Sequence, residues 1–130
     1  MKIVLSAYPD KEKAEEVATN LVEKELAACV NVIKVENSIY KWKGKIEKRP
    51  EYLLVIKTTE KAYKQLEMYI KQNHPYKVAE ILKIDVEGGN TEYIQWIEES
   101  VLSKLLRVPL DFRATKRISE SAKKPRTLSL

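Results

Sequence analysis

Two long runs of strand-forming residues stand back to back in this chain, and they restrict its fold more than any other feature. The first, Cys29–Lys43, carries Val30, Val32, Ile33 and Val35, then Ile39, Tyr40 and Trp42. The second, Ile46–Thr58, is strongest at Tyr52–Ile56. Between them lies Trp42-Lys43-Gly44-Lys45, a hairpin tip with a glycine where positive φ is needed. A hairpin this long cannot stay flat, so Glu36-Asn37-Ser38 is expected to bend or bulge it. Pro50 has no amide hydrogen to give a ladder, which puts its stretch at an edge or a bulge.

The flanking segments supply the rest of a small α+β domain. Lys2–Ala7 reads as a buried strand. Asp10 caps a helix whose Ala14, Val17, Ala18, Leu21 and Val22 repeat at helical spacing, running to about Leu26. Thr59 caps a second helix, with Ala62, Leu66, Tyr69 and Ile70 on one face, ended at Asn73-His74-Pro75. Val78–Val86 reads as a fourth strand, stopped by Gly88-Gly89. Asn90 then caps a third helix carrying Tyr93, Ile94, Ile97, Val101 and Leu102. The order β-α-β-β-α-β with an appended helix predicts a ferredoxin-like split β-α-β fold, an antiparallel sheet with two helices on one face. Its other face would show Val, Ile, Tyr and Trp to water, and exposure on that scale points to assembly.

Charge separates the body from the C-terminal stretch. Residues 1–103 hold 16 Lys and Arg against 17 Asp and Glu, while residues 104–130 hold 8 against 2, which together give the net +5. The expected organisation is therefore a domain over 1–103 and a basic C-terminal extension over 104–130, flexible from about residue 111. A near-neutral body argues against nucleic-acid binding except nonspecifically through the tail. The strands also lack the basic-glycine-aromatic pattern on which RNA-recognition domains stack bases. No apolar run reaches the roughly 20 residues of a membrane helix. A single cysteine, with no leader-like segment before the first strand, points to the cytoplasm.

Three separated motifs carry a family resemblance. Glu25-Leu26-Ala27-Ala28-Cys29-Val30-Asn31 lies at the first helix-to-strand junction. Ser38-Ile39-Tyr40-Lys41-Trp42-Lys43-Gly44-Lys45-Ile46 spans the hairpin tip, and His74-Pro75-Tyr76 precedes Glu80-Ile81. In this order the three resemble the CutA family of divalent-cation tolerance proteins. The resemblance implies a homotrimer similar to the PII signalling proteins, with hairpins paired across subunits, and a response to metal ions such as copper. Copper-binding relatives place a cysteine late in the first strand and a histidine before His-Pro-Tyr. The matching positions here are Ser6 and Asn73, and Ala79 stands where the family usually has proline.

Candidate sites are few. His74, the only histidine, and Cys29, the only cysteine, are the available soft or borderline metal donors for copper or zinc. One of each falls short of the four or so donors of a closed site, so only weak metal binding is expected and no obligatory cofactor. His74 has a structural alternative, in which it satisfies the last carbonyls of the second helix, and Cys29 one in which it is a small buried hydrophobe. Tyr40, Trp42, Lys57, His74 and Tyr76 are the candidates for a ligand pocket or subunit interface. Lys41, Lys43, Lys45, Lys48 and Arg49 form a basic hairpin rim, diluted by Glu47 and Glu51. With one histidine, no Cys-x-x-Cys and no glycine-rich phosphate loop, the sequence supports no catalytic constellation. A binding or signalling module is the expected class; its rivals are a nucleic-acid-binding ferredoxin-fold protein acting through the basic tail and a trimeric scaffold for a partner protein.

Overall fold

The computed structural model describes residues 1–101. Strand β1 is Lys2–Tyr8, helix α1 Lys11–Glu23, β2 Cys29–Trp42, β3 Lys45–Thr58, α2 Glu60–Asn73, β4 Leu82–Asp85 and α3 Thr91–Ser100. The four strands form one antiparallel sheet in the order β2-β3-β1-β4, the ferredoxin-like arrangement expected from the element order. The expected tail, and Leu102 of the third helix, lie outside the described residues.

Local chemistry explains most element boundaries. Asp10 accepts from the Lys13 amide at 2.7 Å, Thr59 from that of Ala62 at 3.3 Å, and Asn90 from those of Glu92 and Tyr93 at 2.9 and 3.2 Å. Each cap thus satisfies a helix N–H with no partner inside its own helix. Helix α1 stops before Leu26, earlier than its apolar periodicity predicts. Glu25 takes the left-handed conformation (φ 58°), its amide bonds to the Val22 carbonyl, and the Leu26 amide reaches back to Leu21. This is a Schellman stop with glutamate at the position that glycine usually holds. It frees Leu26 to turn into the core, where it is completely buried.

The hairpin keeps close to its sequence. Lys43 and Gly44 both have positive φ, at 51° and 79°, which makes the tip a two-residue turn between the paired Trp42 and Lys45. On β2 the pairing jumps from Val35, opposite Glu51, to Ser38, opposite Arg49. Glu36 and Asn37 therefore face the single residue Pro50, at the bulge expected there.

Strand β4 is shorter than the expected Val78–Val86. It pairs with β1 only from Lys2 to Leu5. Beyond Leu5 the chain at His74 takes over, and its ring nitrogen holds the Ala7 carbonyl. The ladder position is filled by a side chain, so residues 78–81 stay out of the strand.

Side-chain alternation splits the sheet into two faces. Val4, Tyr8, Leu54 and Ile56 point toward α1 and α2 and share a core with Val17, Leu21, Leu66 and Ile70. The other face carries Ile3, Leu5, Leu53 and Val55, all half-buried, with Leu82 and Ile84 exposed at its β4 margin. Helix α3 lies against β3 and buries Ile97, but much of this second face stays open in one subunit. Among the described residues no helix is long and apolar enough to cross a membrane.

Candidate functional site

Where β1 ends, β3 runs on toward the hairpin tip, and the segment after α2 crosses the gap. That crossing builds the most polar part of the interior. His74 is fully buried and stacks on Tyr8, with ring centroids 4.2 Å apart and planes 25° apart. Its Nδ1 accepts from the Tyr76 amide at 3.0 Å. A nitrogen that accepts carries no proton, so Nε2 bears the hydrogen and donates it to the Ala7 carbonyl at 2.7 Å. The ring is thus a neutral strut between β1 and the turn after α2. Its role differs from the expected one of satisfying helix carbonyls. Asn73 performs that task, donating through Nδ2 to the Tyr69 carbonyl at 2.9 Å.

Tyr76 continues the chain of contacts. Its ring lies 4.9 Å from that of His74, and its hydroxyl donates to Glu51 Oε2 at 2.8 Å. The Ser38 hydroxyl donates to Glu51 Oε1 at 2.7 Å, from the bulge on β2. Glu51 is only 2% exposed, which corrects its reading as a rim charge that dilutes the hairpin lysines. Buried carboxylates need such donors, because taking them from water without partners is costly. Behind this group, burial pushes the Tyr8 phenol well above the ordinary tyrosine range, against an opposing hydrogen bond donated by the Ser6 hydroxyl at 3.3 Å. The result is a line of polar groups from the hairpin bulge through Glu51, Tyr76 and His74 to β1.

The expected site residues do not converge within one subunit. His74 and Tyr76 meet as described. Cys29 is half-buried at the start of β2, opposite Lys57, and Lys57 is opposite Ile3 on β1. His74 engages Ala7, four residues further along β1, or roughly 13 Å at strand rise. The two metal candidates therefore do not share a site. Lys57 is spoken for locally, since its ammonium donates to the Asn31 side chain. Tyr40 and Trp42 lie beyond the bulge on the projecting arm, and Lys43 sits over the Trp42 ring at 5.5 Å. Of the functional-looking residues, Glu51 and Ser38 escaped recognition as a pair. Their link depends on the bulge register, which spacing alone does not reveal.

Surface hollows lie among the described residues. One, of about 280 Å3, opens beside Tyr76 and is lined by Lys71, Lys77, Val78, Ala79 and Ile81. It combines an apolar floor with the ammonium groups of Lys77 and of Lys71, the latter paired with Glu67 at 3.6 Å. Another lies between α1 and β2, on the outer edge of the sheet. Among the described residues no three His, Cys, Asp or Glu side chains gather as metal ligands. Both His74 nitrogens are engaged in hydrogen bonds, so the ring as placed offers an ion no unoccupied lone pair.

Comparison with known proteins agrees with this architecture. The family described as CutA1 divalent ion tolerance protein matches residues 2–100. Protein CutA of Homo sapiens is 44% identical over 104 residues, which span 78% of this chain but 58% of the human protein. The divalent-cation tolerance protein CutA of Thermus thermophilus is 41% identical over 99 residues, 76% of this chain and 96% of that one. Among solved structures, CutA1 from Oryza sativa superposes with a TM-score of 0.75 at 35% identity, over 79% of this chain and 94% of that chain. The chain thus spans under three-fifths of its human relative and nearly all of its bacterial one.

Proposed function

The chain belongs to the CutA1 divalent ion tolerance protein family, and from that premise we propose that it works as a homotrimeric binding module in the cytoplasm, taking a small anionic molecule where its subunits meet. The observation that carries the reading is the unfinished state of a single subunit. One sheet face keeps Leu82 52% and Ile84 44% exposed, and the hairpin arm keeps Ile39 62% and Ile46 63% exposed. Side chains of this size left in water cost about 25 cal/mol per Å2 of apolar area, and a second and third copy would remove that cost. Arms that reach a neighbour would also bring Tyr40 and Trp42 toward surfaces that their own subunit does not place beside them. The hollow beside Tyr76 supplies one wall of the proposed ligand site, with Lys77 as its cation and Lys71 already paired with Glu67.

A divalent cation is the second ligand, in keeping with the family's description, but bound weakly. His74 is committed at both nitrogens and Cys29 stands apart from it. Titration calorimetry of the full chain with Cu(II), Zn(II) and a nucleoside triphosphate tests both parts. The expected result is metal affinity in the micromolar range or weaker, and triphosphate binding abolished by Lys77→Glu. Submicromolar metal binding that survives Cys29→Ser, or triphosphate binding indifferent to Lys77→Glu, would contradict the reading.

A further inference from the structure

One side chain belongs both to the hollow after α2 and to the tie that holds the hairpin arm. Tyr76 lines the hollow of about 280 Å3 together with Lys77, Val78 and Ile81, and its hydroxyl donates to Glu51 Oε2 at 2.8 Å. On its other oxygen Glu51 accepts from Ser38 at 2.7 Å, and Ser38 is the residue of β2 at which pairing resumes beyond the bulge. Two hydroxyl bonds to one carboxylate therefore join the wall of the hollow to the base of the arm. The Tyr76 amide is held by His74 Nδ1 at 3.0 Å, whereas residues 77–81 belong to no helix or strand. The wall is thus pinned at Tyr76 and has no ladder beyond it.

We propose, on the strength of the ligand site above, that Tyr76 couples the hollow to the arm, so that a small anionic molecule in the hollow and a seated arm stabilise each other. A molecule packed on Lys77 and the apolar wall holds the Tyr76 turn where its hydroxyl meets Glu51. With the turn displaced, Glu51 keeps Ser38 but loses its other hydroxyl donor, and a carboxylate only 2% exposed is costly to leave short of donors. The base of the arm then loses the partner that fixes it. Such coupling is reciprocal: the factor by which the ligand favours the seated arm is the factor by which the seated arm favours the ligand. One charge-assisted hydrogen bond carries it, which sets the scale at about tenfold. Tyr76 acts as a positioning residue, working through Glu51.

Hydrogen exchange of the full chain, with and without saturating ATP, tests the coupling. ATP should slow exchange of the arm amides, residues 39–48, by about tenfold and leave α1 unchanged. Tyr76→Phe keeps the ring, removes the hydroxyl and should abolish that slowing even at saturation. Ser38→Ala, outside the hollow, should weaken ATP binding in calorimetry by about the same tenfold, and should add nothing further in the Tyr76→Phe background. A tyrosine with a merely structural role would raise arm exchange equally with and without ATP, and would leave Ser38→Ala at the natural affinity. ATP binding with arm exchange unchanged overturns the coupling and leaves the ligand site standing. So does slowing that survives in Tyr76→Phe, or natural affinity in Ser38→Ala. A natural chain that binds no ATP overturns the ligand site and the coupling together.

Discussion

Replacing His74 by alanine is expected to cost the fold roughly 4 kcal/mol, in the range of large-to-small changes at buried aromatic positions. The ring is fully buried, stacks against Tyr8, lies tilted beside Tyr76, and holds two backbone groups, the Ala7 carbonyl and the Tyr76 amide. Its removal leaves a cavity and two buried polar groups with a bond lost, each worth about 1–3 kcal/mol if no water replaces it. His74→Phe separates the two contributions. It keeps the stacking and loses both hydrogen bonds, so it should cost about half as much. Urea unfolding of the three proteins measures this directly. If His74→Ala unfolded at the same urea concentration as the natural chain, the strut would not exist. Because the effect is structural, any loss of copper binding in His74→Ala must be read against the folded fraction.

Glu51→Ala is expected to come close behind, at about 3 kcal/mol. The carboxylate accepts from the Ser38 and Tyr76 hydroxyls and is nearly inaccessible to water. Without it, both hydroxyls lose their acceptor in the interior. The arm would also lose its tie to the body at the point where β2 bulges. Hydrogen exchange should therefore rise first in the hairpin beyond Ser38, and only later in Leu54–Thr58. Glu51→Gln keeps one acceptor oxygen and should lose less than half as much. An Ala variant as stable as the natural protein would show that the bulge is fixed by the backbone alone.

Much of this architecture was legible in the residues. Val30, Val32 and Leu54 announced strands, Asp10, Thr59 and Asn90 announced helix starts, and Trp42-Lys43-Gly44-Lys45 announced its turn. These signals are local, and local chemistry reads directly from sequence. The features that sequence reading missed depend on distant partners. Helix α1 ends early because Glu25 adopts a left-handed conformation that glutamate does not advertise. Strand β4 is cut short because His74 takes the Ala7 carbonyl, a contact between residues 67 apart in sequence. Glu51 looked like one more charge on a basic rim until its pairing with Ser38 and Tyr76 appeared. The site divides the same way. His74 and Tyr76 were visible as a motif, whereas their partners across the sheet were not. Cys29 is a candidate metal donor and Lys57 a candidate for the pocket or interface, and within one subunit the strand register sets both at the end of β1 away from His74.

Whether a subunit is complete alone is tested most directly by its mass in solution. Light scattering of the full chain at micromolar concentration should give three times the 15.1 kDa subunit mass. Trp42→Ala, which strips the arm of its largest side chain, should shift part of the material toward the monomer without unfolding it. A stable species at 15.1 kDa, with the open sheet face and the arm both in water, would contradict the trimer and the ligand site built on it.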